Sequence, residues 1–523
     1  MGVRSLCFLT AGSLLLTIIC GGVAGVAAEN PNTLVVAHME YAWTFDPMYN
    51  WWDVNRLTRV TYDALTNYDP VAKTVVPWVA KAWDISQDGL TYTFYLNEGI
   101  KFHDGTDLTA ADVKFTVDRL KALQDGIAQY FECVKSVEIL DDYTVRFTLK
   151  EPNSGFLPST VLLYIISEDG VKAHEQNGDW AAGYLQNYDL GSGPYQVVLN
   201  VPEQRTVCEK FPDYWKGWEG KHIDKITWLW IKDPSIQRMM LVSGQLDIAM
   251  NPSVADLPYF EADPNLEVVS SLSAHILAVS FRTIHKPLGD VRVRRALAMA
   301  IDYDYLIQVA SGGYGKRAVS PVASVLPGYD DKLTPMPYDM ETAKQVLAEA
   351  GYPNGGFTLT IAYQSEHPAY RRLVEVLRDN WGALGITTKL MSMDWNAQTA
   401  MEGDPNSEPD IYIDEPGPDT MDLVQYFNQY YGSEYLSYGS NAAWFSDPEV
   451  DELIHQAQAE SNPERYIELC REIQRKIVAA VPQAWIYEVP YVIAAQKYVK
   501  GFVYNPAFHD TLDVYHMWLD SKP

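Results

Sequence analysis

The sequence predicts an α/β protein of two or three domains, and three observations support this class. The chain has 523 residues, too many for a single hydrophobic core. A strand, a helix and a second strand follow one another over 357–391, the order that builds parallel or mixed sheets. Hydrophobic residues make up 47% and charged residues 21% of the chain, the balance of a globular protein.

Residues 1–28 have the pattern of a secretory signal peptide. Arg4 supplies a positive charge, 6–19 is apolar, and Val26-Ala27-Ala28 is a small-residue cleavage site. We therefore expect export to the periplasm and cleavage near Ala28. A membrane anchor is the alternative, but the apolar run is short and interrupted. Lipidation at Cys20 is a further alternative, which the isoleucine before it disfavours.

The net charge restricts the binding partners of the protein, and the cysteine spacing restricts metal binding. The formal net charge of −28 argues against nucleic acid or an anionic membrane surface. It suits attraction of cationic solutes, and equally suits solvation of a large surface. The cysteines after the signal, at 133, 208 and 470, fit no metal motif, although an oxidising compartment permits one disulfide among them.

The most informative segment is residues 77–120. Residues 91–96 alternate in polarity as in a half-buried strand. Asp104-Gly105 is a turn dipeptide, because glycine accepts a positive φ. Thr109 is a plausible N-cap for a helix that begins at Ala110. Nothing in this segment indicates catalysis.

The same segment resembles the signature of the dipeptide, oligopeptide and nickel class of solute-binding proteins of ABC importers (family 5, cluster C). In that family a pattern of the form LAxxWxxxxDGxxYxFxLxxGxKFxDGxxxTAxDVxFxxxR recurs. The matching positions here are Ala80, Trp83, Asp88, Gly89, Tyr92, Phe94, Leu96, Gly99, Lys101, Phe102, Asp104, Gly105, Thr109, Ala110, Asp112, Val113, Phe115 and Arg119. Residues 191–195 (GSGPY) resemble the family's GTGPY, and 291–303 its VRxALxxAID helix. The resemblance covers nearly the whole chain after the signal.

The resemblance implies a periplasmic-binding-protein type II-like fold, with two α/β lobes, a cleft between them and an inserted third lobe. The expected boundaries are 29–70, 191–283 and 491–523 for lobe I, 71–190 for the inserted lobe II, and 284–490 for lobe III. Ligand is expected between lobes I and III.

Motifs of catalysis are missing from the sequence. It contains no HExxH, no GxSxG and no P-loop. The histidines, such as His103 and His285, have no partner at metal-ligand spacing, so we expect no metal ligands among them. A chelated metal as ligand stays open, because some proteins of the family that the chain resembles carry nickel. We expect no cofactor and no enzymatic activity. Carboxylates are too numerous for a glycosidase pair to be excluded by counting. The arginines at 292, 294 and 295 are predicted to form a solvated helix face with salt bridges.

Residues 410–422, DIYIDEPGPDTMD, carry the candidate ligand anchor. In the family a strand here leads into a loop whose acidic residue faces the cleft, and in peptide binders this acid pairs with the α-ammonium group of the ligand. The resemblance places Asp419 at that position. A carboxylate attracts a cation more strongly as the local dielectric falls. The alternative is a turn aspartate that caps its own backbone.

The segment also departs from the oligopeptide pattern. Ile413 and Pro416 stand where oligopeptide binders carry arginine and tryptophan, and Asp414 and Glu415 add negative charge. A ligand carboxylate would be poorly received there. A cation, or a hydroxyl-rich ligand that needs acceptors, would bind better.

Loops at strand ends supply the other candidates, because open α/β sheets bind ligands there. Glu40 and Tyr41 follow the first strand, and Tyr363 and His367 follow the strand at 357–362. Trp395 matches a family position whose ring lines the pocket. For each of these residues core packing is an equal alternative.

Together these features predict a periplasmic receptor of an ABC importer, not an enzyme. It would capture a short peptide or other cationic small solute between two lobes and deliver it to the inner-membrane permease. We expect a monomer that binds no nucleic acid. An oligosaccharide receptor of the same family is the alternative, and a secreted carbohydrate-active enzyme is a third hypothesis.

Overall fold

The computed structural model describes residues 32–49, 52–250, 252–365, 367–508 and 510–522. The expected signal peptide, its cleavage site and its cysteine at position 20 lie outside these ranges. Within them, no helix combines the length and apolar character needed to span a bilayer. The three cysteines predicted to permit one disulfide are all free.

Strands and helices alternate along much of the chain. The strands are β1 Thr33–His38, β2 Thr66–Asp69, β3 Thr74–Pro77, β4 Ala80–Ile85, β5 Thr91–Leu96, β6 Val134–Asp141, β7 Thr144–Leu149, β8 Tyr195–Val201, β9 Arg205–Lys210, β10 Lys225–Trp230, β11 Ile248–Ala249, β12 Leu266–Phe281, β13 Lys316–Arg317, β14 Thr358–Gln364, β15 Thr387–Met393, β16 Ile411–Asp414, β17 Gln483–Gln496, β18 Val499–Lys500 and β19 Trp518–Leu519. The α-helices are α1 Trp52–Thr61, α2 Ala110–Leu123, α3 Phe156–Ser159, α4 Glu168–His174, α5 Ala182–Leu185, α6 Pro234–Val242, α7 Leu257–Ala262, α8 Val291–Met299, α9 Tyr303–Ser311, α10 Met340–Glu349, α11 Pro368–Gly382, α12 Trp395–Glu402, α13 Leu423–Tyr431, α14 Pro448–Gln458 and α15 Pro463–Ala480.

The large sheet runs through both expected α/β lobes, in the order β15-β14-β16-β12-β17-β11-β1-β10-β9-β8. Two long antiparallel strands, β12 and β17, connect its halves. In the lobe I half, Leu266–Leu272 pairs with Pro490–Gln496, and in the lobe III half the pairing resumes at Ile276 and Glu488. The register shifts between these two stretches. The sheet is therefore irregular where the two strands pass from one lobe to the other.

The strand directions place a cleft at this crossing. β1 runs parallel to β11, which is antiparallel to β17, so β1 runs towards lobe III. β14, β15 and β16 are parallel to one another, and β16 is antiparallel to β12, so these three run towards lobe I. The carboxyl ends of the parallel strands in the two halves therefore point towards each other. Ligands of open α/β sheets bind outside such ends.

The inserted lobe II has its own antiparallel sheet, in the order β4-β5-β7-β6. The alternation predicted for 91–96 is confirmed, because Tyr92, Phe94 and Leu96 are buried and their neighbours are not. Thr109 caps α2 as predicted, in a capping box with Asp112. One hydrophobic core joins this lobe to lobe III, since it contains β5 and β7 side chains together with side chains from α13, α14 and α15.

The prediction of a solvated arginine face on α8 is wrong for Arg294. This side chain is buried and donates to the carbonyl oxygens of Leu288 (2.6 Å), Ala480 (2.6 Å) and Val481 (2.9 Å). The last carbonyl groups of α15 have no partner within the helix, so a cation is favourable there. Arg292 does fit the prediction, as an exposed partner of Asp290 at 2.6 Å.

Candidate ligand-binding site

The predicted ligand-binding residues lie at the two facing edges of the large sheet. On the lobe III side these are Tyr363, His367, Trp395 and Asp414, and on the lobe I side they are Glu40 and Tyr41. The loop that follows β16 adds Glu415 and Asp419. Strand direction alone accounts for this gathering, because parallel strands end at the same edge. Contact of each residue with a ligand stays a prediction.

The loop after β16 runs beside the irregular part of the crossing strands. The backbone N–H of Ile276 donates to the carbonyl oxygen of Pro416 at 3.0 Å. The ring of His275 lies against Gly417 so closely that a Cβ there would be 2.4 Å from its Nδ1. Glycine is therefore required at this point of the loop. The acidic segment is fixed to the strands that join the two lobes.

Asp414 is the last residue of β16, and among the described residues only one of its two carboxylate oxygens accepts hydrogen bonds from other side chains. Its Oδ2 accepts from Ser280 Oγ at 2.8 Å and from Gln483 Nε2 at 3.4 Å. Its Oδ1 is buried and has no hydrogen-bond partner among the residues described. Burial raises the pKa of Asp414 to about 7, and the charge of Glu415 adds to the effect. A buried, unpaired carboxylate oxygen is costly unless a ligand satisfies it.

Glu415 is the second carboxylate of this edge. Tyr370 of α11 donates its hydroxyl to Glu415 Oε2 at 3.1 Å. Burial raises the pKa of Glu415 to about 7, although the Tyr370 hydrogen bond opposes the rise. The sequence indicates the charge of Glu415 but predicts no binding role for it.

Asp419 lies at the junction of lobes II and III. The hydroxyl of Tyr130, in the 3-10 helix Gly126–Phe131, donates to Asp419 Oδ2. Burial raises the pKa of Asp419, and hydrogen bonds from Tyr130 and Gln429 oppose that rise. The placement favours a contact that ties the two lobes together. Its predicted role as ligand anchor stays a prediction.

The lobe I candidates already have partners. Glu40 is 57% exposed and lies 3.5 Å from the guanidinium group of Arg56. The hydroxyl of Tyr41 accepts a hydrogen bond from Asn200 Nδ2 at 3.1 Å, and its ring packs edge-on against Trp230 with centroids 5.6 Å apart. Both residues therefore contact other side chains of lobe I.

The lobe III candidates differ in exposure. Trp395 begins α12 and is 58% exposed. His367 is exposed and stacks on Tyr370 with ring centroids 4.7 Å apart, and Tyr363 is half-buried. The His367 ring thus covers the tyrosine that holds Glu415.

Sequence reasoning missed several polar groups of the site. Ser280 and Gln483 come from the crossing strands, and Tyr130 comes from lobe II. None carries a local sequence signal, because each acts through a neighbour that is remote in the chain. Tyr370 is the exception, since it lies one helical turn after His367.

We expect the ligand-free protein to lose stability as the pH rises from about 5 to about 8. The native pKa values of Asp414 and Glu415 are about 7, above their ordinary values of 3.8 and 4.5. The native state therefore binds more protons than the unfolded state in this window, so the free energy of unfolding falls with pH. Urea unfolding at pH 5.5 and pH 8 measures this. A double variant, Asp414→Asn with Glu415→Gln, should show a smaller difference, and an equal one would contradict the assignment.

The large sheet has two α/β halves that are joined by β12 and β17. The halves face each other across a cleft with acidic side chains at one edge, which is the architecture of a solute receptor. Residues 74–437 match the family model of bacterial extracellular solute-binding proteins, family 5 Middle. The chain belongs to this family. The resemblance in the sequence and the two-lobed type II-like fold are thereby confirmed. Proteins of this family bind solutes for transport and are not defined by catalysis.

Relatives and solved structures agree with this placement. The glutathione-binding protein GsiB of Pectobacterium atrosepticum is 30% identical over 86% of this chain and 87% of its own length. The heme-binding protein A of Haemophilus influenzae is 28% identical over 90% of this chain and 88% of its own. The structure of the ABC transporter-associated periplasmic binding protein DppA from Helicobacter pylori, in complex with peptide STSA, has a TM-score of 0.79 and 26% identity, covering 93% of this chain and 98% of that one.

Proposed function

We propose that this protein is the periplasmic receptor of an ABC importer and captures a short peptide or another cationic small solute, whose ammonium group binds Asp414. The observation that carries the proposal is the buried Asp414 Oδ1, which lacks a partner among the described residues. An ammonium group can donate three hydrogen bonds and carries a positive charge. It would therefore give Asp414 Oδ1 a donor and the carboxylate a counter-ion.

Asp414 is better placed for this role than Asp419. Asp419 is held by Tyr130 and Gln429, whereas Asp414 Oδ1, at the end of a parallel strand, has no hydrogen-bond partner among the residues that the structure describes. Neither carboxylate forms an ion pair with a lysine, arginine or histidine in the part of the chain that the structure describes. Buried charges in proteins are ordinarily paired, which supports a cation supplied by the ligand.

Binding would act through closure of the lobes. We take the division into lobe I (29–70, 191–283, 491–523), lobe II (71–190) and lobe III (284–490) as part of the proposal, with the irregular stretch of β12 and β17 as the hinge. Closure removes water and so strengthens the pairing of Asp414 with a cation. The closed monomer would present its surface to the membrane permease, and export would depend on residues 1–28.

The oligosaccharide alternative finds no support among the relatives reported above. The aromatic platform that it needs would include Trp395, which lies largely exposed at the start of α12. A hydroxyl-rich ligand would also leave the Asp414 charge without a counter-ion.

A thermal-shift screen of the ligand-stripped, refolded protein tests the proposal. The compounds would be dipeptides, the same dipeptides acetylated at the amino group, polyamines, oligosaccharides and nickel chelates. A ligand at 100 times its dissociation constant should add about 2.7 kcal/mol to the free energy of unfolding. We expect stabilisation by free amines and its loss on acetylation. Stabilisation by sugars alone, or by acetylated peptides equally, would overturn the proposal.

A further inference from the structure

The glycine-rich segment 311–315 (SGGYG) joins α9 to β13 and lacks the spacing of a phosphate-binding loop. Both of its neighbours belong to lobe III, because α9 packs in the core of that lobe and β13 pairs with the lobe III half of β17. The hydroxyl of Ser311 donates to the carbonyl oxygen of Ile307 at 2.7 Å and accepts from the N–H of Gly315 at 2.9 Å. These bonds close the loop on the end of α9 and make it a fixed extension of lobe III.

Tyr314, near the end of this loop, packs on lobe I. Its half-buried ring lies against a hydrophobic cluster of lobe I that includes Leu241 of α6 and Leu257 and Phe260 of α7. Among the described side chains in or against this cluster, Tyr314 alone comes from lobe III. Its hydroxyl donates to the carboxylate of Glu261 on α7. One side chain of lobe III thus buries apolar area on lobe I and forms a hydrogen bond there.

A second contact joins the same loop to lobe I beside the crossing strands. Val254 lies between β11 and α7, and its Cγ1 is 2.9 Å from the point where a Cβ would stand on Gly312. On the other side of the loop, a Cβ on Gly315 would be 2.7 Å from the ring of Tyr487. Tyr487 pairs with Leu277 next to the irregular stretch of β12 and β17. The loop is therefore packed between lobe I and the strands that would act as the hinge.

We propose that Tyr314 is a positioning residue, a latch that holds lobe III against lobe I in the orientation of this structure. The inference rests on the proposed function, because it takes the lobe division and the hinge from it. A rotation of one lobe against the other separates the Tyr314 ring from α7, since the ring belongs to one lobe and its cluster to the other. The latch therefore sets the fraction of ligand-free molecules that have this cleft geometry. The apparent affinity for a ligand that needs this geometry scales with that fraction.

Small-angle X-ray scattering of the ligand-stripped, refolded protein measures the orientation of the lobes. We expect the wild-type curve to match the curve calculated from the structure. In Tyr314→Ala the ratio of other orientations to this one should rise about tenfold, because the packing of the ring and the hydrogen bond are both lost. Tyr314→Phe keeps the ring and should raise the ratio about threefold. The matched control is Tyr305→Ala, which removes a ring of α9 that is 54% exposed and should leave the curve unchanged.

The outcomes separate this inference from the proposed function. Glu261→Ala should match Tyr314→Phe, and the double variant should add nothing, because both changes remove the same hydrogen bond. These two variants decide the question if circular dichroism shows that Tyr314→Ala does not fold. Superimposable curves for the wild type and the Tyr314 variants overturn the latch and leave the proposed function standing, since no ligand takes part in the measurement. A wild-type curve that departs from the structure, or an equal change in Tyr305→Ala, also overturns the latch.

Discussion

Replacing Asp414 with asparagine is expected to weaken binding of a cationic ligand by about 30-fold or more. Removing one partner of a buried charge pair costs about 2–5 kcal/mol, and each tenfold change in affinity is about 1.4 kcal/mol. The amide keeps an oxygen for Ser280 and Gln483, so the local hydrogen bonds survive. Calorimetric titration at pH 8 with the dipeptide that stabilises the wild-type protein measures the loss.

Asp419→Asn provides the control for that variant. Asp419 is held by Tyr130 and Gln429, so we expect its replacement to change the affinity less than about fivefold, within the range of one altered neutral hydrogen bond. A large loss in Asp419→Asn with near-normal binding in Asp414→Asn would reverse the assignment. The anchor would then be Asp419, as the resemblance in the sequence implies.

Replacing Arg119 with alanine is expected to lower the free energy of unfolding by about 3–5 kcal/mol. Arg119 lies on α2 and is one of the positions that match the family pattern. Its guanidinium group donates to both carboxylate oxygens of Asp46, at 2.8 and 2.5 Å. Both side chains are buried, with 2% and 3% exposed. The variant would leave the Asp46 carboxylate buried without a counter-ion, at the contact between lobes I and II. Urea unfolding at pH 7, followed by tryptophan fluorescence, measures the change.

An exposed arginine of the same lobe is the matched control. Arg146 lies 3.4 Å from Glu138, with both side chains largely exposed, so Arg146→Ala should cost at most about 1 kcal/mol. A double variant, Arg119→Met with Asp46→Leu, should recover much of the lost stability, because it removes the uncompensated charge. Equal costs for the two single alanine variants would contradict the role of the buried pair.

Local structure was predictable from the sequence because its causes are local. Thr109 caps α2, and Gly105 takes a positive φ of 88°. The residues next to each of them in the sequence predicted both features. The strand–helix–strand pattern of 357–391 became β14, α11 and β15, with the two strands paired in parallel. The long signature also identified the family, since agreement at so many positions follows from a common fold.

The candidate site was predictable only in part. The rule that ligands bind at strand ends indicated Tyr363 and the loop after β1, and the family resemblance indicated the acidic segment 410–422. The sequence could not show which of Asp414 and Asp419 is already hydrogen-bonded within the protein. The Asp419 carboxylate accepts from Tyr130, which lies 289 positions away in the chain.

The sequence by itself therefore determined the class of this protein, its principal elements and the acidic character of its cleft. Only the tertiary structure decided which carboxylates stay unpaired. Ser280 lies 134 residues from Asp414 and yet donates to its Oδ2, and Gln483 of β17 donates to the same oxygen. The physical reason is that a buried oxygen is satisfied only if a donor lies within hydrogen-bond distance. The possible donors come from strands and loops far apart in the chain, so their positions are known only in the folded structure.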